Sequence, residues 1–190
     1  MTGPLSDAKG LFAAVDVHYL DDVSARAALV AARDQRFSMV TRTQTAIVGA
    51  AARYQPGEFY LRELPPLRAV IPAAGGLALI VVDGYVDLDP AGRPGLGAHV
   101  HAEFGVPVVG VAKSPFRTAT HAVPVCRGQS SRPLYVTAAG MAVADAAHLV
   151  AEMAGRFRLP DALKQVDRLA RGLEVPGCAE VTAGSGCGVR

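Results

Sequence analysis

Residues 10–20, GLFAAVDVHYL, are a run of β-branched, aromatic and small apolar residues that predicts a strand, with a turn at Leu20-Asp21-Asp22. The stretches 24–33 and 36–48 are spaced to complete an antiparallel meander, although the alanines of 24–33 would also suit a helix. A segment rich in aromatics and turn formers follows. A short helix is then expected from Pro65 to Ala74, because proline suits a first helical turn. LALIVVD, residues 77–83, is apolar at every position up to its closing aspartate, the pattern of a strand buried on both faces. Beyond it the chain alternates. GLGAHVHAEFG predicts a helix stopped by Gly105, VPVVGVAK (106–113) a strand, and 132–137 another strand. Residues 143–154 read as a helix ended by Gly155, and a last helix is expected over 161–169. From 172 onward periodicity is lost, and a loose tail is expected. A meander followed by alternating helices and strands predicts an α/β fold: a mixed β-sheet flanked by helices, its site at strand ends.

Composition narrows this picture. A chain of 190 residues with 51% hydrophobic and 19% charged side chains is globular, and it fits one domain. Thirteen prolines and twenty glycines speak against a helical bundle. The formal net charge is only +2, so bulk positive charge does not mark a nucleic-acid binder, and any such site must be local. Lysine occurs only at Lys9, Lys113 and Lys164; arginine supplies the rest of the 19 basic residues. Three cysteines without CxxC spacing argue against a disulfide framework or a zinc site. With no signal-like N-terminal stretch and no apolar run long enough to span a bilayer, a cytoplasmic monomer is expected.

Three carboxylates stand out. Asp16 sits within AAVDVHY, Asp83 closes LALIVVDG, and Glu63 lies among apolar neighbours in FYLRELPP. A buried carboxylate costs several kcal/mol unless something pairs with it. Three of them on three segments suit a hard divalent cation, Mg²⁺ above all, of the kind that supports phosphodiester hydrolysis. The plainer alternative is a strand-end aspartate and an Arg62–Glu63 surface pair. Lys113 ends the strand that runs toward the same edge as Asp83, where an ammonium can hold a phosphate as a point charge; a solvated strand end is the alternative. His99 and His101 are two residues apart and face different sides of their helix, so they do not form a paired metal site. Arg117, Arg127 and Arg132 are further candidates for phosphate contact.

YQPGEFYLRE (54–63), VVDG (81–84), GLGAH (95–99), VGVAKS (109–114) and PLYV (133–136) occur in a single order. Together with RLPDALKQVD (158–167) they closely resemble the endonuclease V family over about residues 11 to 171. The resemblance implies a ribonuclease H-like fold over a single domain, 1–171, with 172–190 as a flexible tail. It also implies an endonuclease of DNA repair that cuts at the second phosphodiester bond 3′ to deaminated adenine (inosine), leaving a 3′-hydroxyl and a 5′-phosphate. Mg²⁺ would be the cofactor, with Mn²⁺ as a substitute. DNA carrying deoxyinosine or other deaminated bases would be the partner, RNA being the alternative target. Carried over by motif, Asp16, Glu63 and Asp83 would hold the metal. Lys113 would hold the scissile phosphate, and Asp167 would stand near the metal or its attacking water, unless it is only a helix partner of Lys164. Tyr54, with the turn at Pro56 and Gly57, would be a wedge that holds open the gap left by an extruded base, unless it merely anchors a loop. Gly95, Gly97 and His99 would belong to the base pocket, the glycines letting backbone amides read a base edge.

The chain departs from the family pattern at Arg53, where members carry proline, at Glu58, and at residues 85–90, YVDLDP. These changes spare the three carboxylates but bear on base recognition. A nucleic-acid-binding relative with a weakened centre, an inosine-specific ribonuclease and a phosphoesterase for small substrates are the competing readings. LALIVVDG is not followed by GxGxxG, which disfavours a dinucleotide enzyme.

Overall fold

The computed structural model describes residues 10–21, 24–49, 60–72, 76–173 and 181–182. Strand β1 (Leu11–Tyr19) turns back through β2 (Ser24–Ala32) and β3 (Val40–Gly49), forming the antiparallel meander that the sequence predicts. After α1 (Tyr60–Val70) come β4 (Leu77–Asp83), α2 (Leu96–Phe104) and β5 (Val108–Ala112). The chain continues through β6 (Val123–Val125), β7 (Leu134–Ala139), α3 (Val143–Glu152), α4 (Asp161–Ala170) and β8 (Val181–Thr182). The strands form one mixed sheet in the order β6-β7-β5-β4-β1-β2-β3-β8. Within it β4 pairs in parallel with both β1 and β5.

Both faces of the sheet are covered, and strand alternation assigns each residue to a face. Ala13, Val15, Ile80, Val82 and Val108 pack with Leu67, Val70 and Ile71 at α1 and with Val100 of α2. Phe12, Ala14, Leu79, Val81, Val109 and Val111 pack on the other side with Leu149 and Val150 of α3 and Leu163 and Val166 of α4. The alanine-rich β2 is the strand whose composition also suits a helix. It is central, with Ala27 and Ala31 on one face and Ala28 and Ala32 on the other. Small side chains there let helices approach the sheet on both sides, so packing overrides propensity.

Two boundaries differ from expectation. Helix α1 begins at Tyr60, not at Pro65, so Pro65 and Pro66 lie inside it, and it ends at Val70 instead of Ala74. The spacing of Leu64, Leu67 and Val70 gives it an apolar face. Burial of that face carries the helix upstream through two positions that cannot donate a backbone hydrogen bond. Strand β6, only three residues long, pairs with β7 and carries no alternation by which it could be recognised. In the segment read as a loose tail, Val181 and Thr182 pair in parallel with Gln44 and Thr45 of β3.

Candidate functional site

The carboxyl ends of β1, β4 and β5 lie side by side. Register places Val15 opposite Val82, which puts the next residues, Asp16 and Asp83, level on adjacent parallel strands. Asp83 in turn lies opposite Val111, two residues before Lys113. By alternation, Asp16, Asp83 and Lys113 belong to the sheet face covered by α3 and α4, and α4 brings Asp167 to it. Glu63 comes from α1 on the opposite face. The three acids nevertheless line one small cavity of about 10 Å³, together with Val15, Val17, Leu67 and Leu96. That is room for one water-sized occupant.

The electrostatics of this cavity are strained. Burial, and then the acids around it, push the Glu63 carboxyl up to about 8. Burial and the neighbouring Asp83 push Asp16 up to about 6, against a hydrogen bond that its Oδ1 accepts from the Val17 amide at 2.8 Å. Lys113 Nζ lies 2.5 Å from Asp83 Oδ2. Burial works against the charge of Lys113, but the bond to Asp83 and the charges of Asp83, Asp16 and Asp167 outweigh it and raise its pKa. Asp167 therefore acts on both Asp16 and Lys113 while its own Oδ2 accepts a hydrogen bond from Arg171 Nε at 3.0 Å. Lys164, its alternative helix partner, pairs with Asp161 instead. Among the described residues no group of three or more His, Cys, Asp or Glu side chains is arranged to hold a metal ion as it stands. What the acids do provide is an oxygen-only donor set whose unbalanced negative charge fits a small hard cation.

Beside the acids lies a second cavity of about 170 Å³, lined by Tyr60, Glu63, Asp83, Gly84, Tyr85, Leu88, Pro94, Gly95 and Leu96. Gly95 lines it; Gly97 and His99 do not. A Cβ on Gly95 would come within 2.6 Å of the Tyr85 carbonyl oxygen, and one on Gly97 within 2.7 Å of the Val86 side chain. The glycines are needed for backbone packing. Their amides donate to Val86 O at 2.7 Å and Tyr85 O at 3.1 Å, so they are not free to read a base edge as expected. His99 sits behind the cavity wall, its ring stacked on Tyr60 with centroids 3.6 Å apart, and burial lowers its pKa. Tyr54, Pro56 and Gly57 lie outside the described residues, as do Arg53 and Glu58.

Two arginines take unexpected roles. Arg127, a candidate for phosphate contact, is only 6% exposed. Its guanidinium donates to the carbonyls of Ala151, Met153, Gly155, Phe157 and Arg158, which secures the connection from α3 to α4. Arg158, which no spacing rule singles out, donates to the carbonyls of Lys113, Arg132 and Pro133 and so ties that connection to the end of β5. Tyr85 was also missed as a site residue. Its hydroxyl donates to Ser114 O at 2.7 Å and accepts from the Phe116 amide at 3.0 Å, closing the loop after Lys113 onto the cavity wall. Its signals in the sequence are its place two residues after Asp83 and the departure from the family pattern at 85–90.

Among the described residues no helix is long and apolar enough to cross a membrane. Residues 3–135 match the family model described as Endonuclease V. An endonuclease V of Streptomyces coelicolor is 36% identical over 128 residues, 66% of this chain and 53% of that protein. One from Azotobacter vinelandii is 31% identical over 183 residues, 85% of this chain and 82% of its own length. Among solved structures, the Streptomyces avermitilis endonuclease V superposes with a TM-score of 0.72 at 27% identity, covering 86% of this chain and 81% of the other. The Ciona intestinalis enzyme, solved with a 24mer DNA containing an inosine followed by a ribo-adenosine, gives 0.72 at 18% identity and covers 89% and 87%. The mixed sheet is thus the ribonuclease H-like fold of these structures. With this architecture and a model match across most of its length, the chain belongs to the endonuclease V family.

Proposed function

We propose that this chain is a Mg²⁺-dependent endonuclease of DNA repair that cuts nucleic acid at the second phosphodiester bond 3′ to inosine. The observation that carries the reading is the convergence of Asp16, Glu63 and Asp83, from three separate elements, on one cavity where burial and mutual repulsion disfavour their charges. Such acids, two on adjacent strands and one on α1, beside a hollow of about 170 Å³, are what a phosphodiesterase centre needs.

Asp16, Glu63 and Asp83 would hold the cation. Bound there, it would supply Lewis-acid polarisation of the phosphate and a water of lowered pKa. Lys113 would hold a non-bridging oxygen of the scissile phosphate as a point charge, in place of its present bond to Asp83. Asp167, from α4, would orient or accept a proton from the attacking water. The water oxygen bonds to phosphorus as the bond to the 3′ oxygen breaks, leaving a 3′-hydroxyl and a 5′-phosphate. Tyr54, with Pro56 and Gly57, would wedge the stack open, and the cavity bordered by Gly95 would receive the extruded base.

The test is a cleavage panel of matched DNA and RNA oligomers, each with and without one inosine, in Mg²⁺ and in chelator. The RNA arm is included because the oligomer bound by the Ciona intestinalis relative carries a ribo-adenosine after its inosine. Mg²⁺-dependent cutting confined to inosine-containing strands is expected. Binding to these strands without cutting would make the chain a recognition protein with a silent centre, and cutting regardless of inosine would remove the lesion from the reading.

A further inference from the structure

We propose that Tyr60, braced by His99, is a base-positioning residue of this site: the aromatic platform against which the extruded base stacks. The inference rests on the function proposed above and adds to it the means by which the base is held. Tyr60 opens α1 just as the chain reaches the acids, and Glu63 follows it by one helical turn. Its ring lies nearly parallel to that of His99 on α2, 14° apart at a centroid distance of 3.6 Å. One face of the tyrosine is thereby fixed by a second helix, and the ring borders the larger cavity.

The rest of that cavity explains why a ring matters. Leu88, Pro94 and Leu96 contribute apolar wall, while the charged groups, Glu63 and Asp83, belong to the metal-facing end. Two polar groups of the wall are already engaged: the Tyr85 hydroxyl by Ser114 and Phe116, and the Gly95 amide by Val86. At about 170 Å³ this cavity is far larger than the single-water space among the acids. What this wall offers a planar heterocycle is contact area and a π-face. A tyrosine locked by its stack on His99 gives that contact with little rotamer entropy left to lose.

The test separates loss of a stacking surface from loss of structure. The full chain is titrated, in chelator, with a fluorescent single strand carrying either one inosine or a reduced abasic residue at the same position. Wild type is expected to prefer the inosine strand. Tyr60→Ala should lower affinity for that strand by roughly tenfold or more, the usual scale of one stacked base, and leave the abasic strand unchanged. Tyr60→Phe should keep the preference, and Tyr60→Leu, which fills space without a π-face, should lose it. In Mg²⁺ the Tyr60→Ala loss should fall on KM more than on kcat.

The inference is overturned if Tyr60→Ala weakens both strands equally, which would make the residue a support for α1, or if Tyr60→Leu matches Tyr60→Phe. A wild type that neither cuts at inosine nor prefers it would instead bring down the proposed function, with intact variants serving as the folding control. The two failures therefore read out differently.

Discussion

The acidic end of the sheet and the cavity beside it share Glu63 and Asp83, yet they are built in opposite ways. At the acids the fold accumulates charge that it does not balance. Asp16 and Glu63 are driven toward their protonated forms, and Lys113 gives its hydrogen bond to Asp83. Around the cavity the reverse holds, since the Tyr85 hydroxyl and the Gly95 amide are paired within the protein and the glycines are there to let backbones touch. Where the protein leaves charge uncompensated, a ligand of opposite charge gains binding energy and stability is sacrificed. Where its polar groups are already paired, what it offers a ligand is shape.

The sharpest way to break this contrast is Asp16→Asn. The amide oxygen can still accept from Val17, but the charge that helps raise Glu63 is gone. Inosine-directed cutting should fall by about 10³-fold, equivalent to about 4 kcal/mol of barrier. The metal-free protein should melt no lower than wild type, because a repulsion has been removed. A variant that cuts normally and melts several degrees lower would show that Asp16 is a structural residue. Lys113→Ala should lose about 10²-fold in rate, a scale typical of one electrostatic group, on single strands and duplexes alike. Its stability effect should have the opposite sign, since Asp83 loses its cation beside two other acids. Equal melting temperatures for the two variants would dissolve the picture of an unbalanced cluster.

Titration tests the same end without mutation. Folding raises both carboxyls above their ordinary values of 3.8 and 4.5. Between those values and about 6 for Asp16 or about 8 for Glu63, the folded state therefore holds protons that the unfolded state has released. The stability of the metal-free protein should fall as pH rises through that window. Millimolar Mg²⁺ should raise the melting temperature by a few degrees at about pH 8 and much less at about pH 5, where the acids are protonated. A magnesium shift independent of pH would place the ion elsewhere.

The contrast also explains what the sequence reveals. Strands whose burial is uniform, such as β4 and β5, announce themselves by composition, and an aspartate closing one of them is conspicuous because water-free carboxylates are costly. Asp16, Asp83 and Lys113 are legible for that reason. Glu63 is conspicuous by its apolar neighbours, Asp167 only within the motif that surrounds it. The start of α1 is hidden because Pro65 and Pro66 signal a helix beginning, and the apolar face that overrides them takes shape only against β1, β2 and β3. Arg127 illustrates the same limit. A guanidinium that surrenders all its donors to five carbonyls looks, in sequence, like any arginine near a turn. The Tyr60–His99 stack joins residues 39 positions apart, and no spacing rule connects them.

Tyr85→Phe tests the other half of the contrast, and its effect should be the smallest. The change deletes one oxygen, which donates to Ser114 and accepts from Phe116, and leaves the ring on the cavity wall. Both loop residues are exposed, so water can replace the lost partner. The expected cost is about 1 kcal/mol, or roughly 2–4 °C in melting temperature for a domain of this size. Affinity for an inosine strand should change by less than about threefold, because a hydroxyl already engaged at both lone pair and proton contributes nothing new to a base. The measurement is a thermal melt paired with the strand titration in chelator. If the phenylalanine variant instead loses affinity for inosine selectively while melting like wild type, the hydroxyl must leave Ser114 and Phe116 to read the base edge. The cavity would then be remade on binding, with the loop after Lys113 as the part that moves.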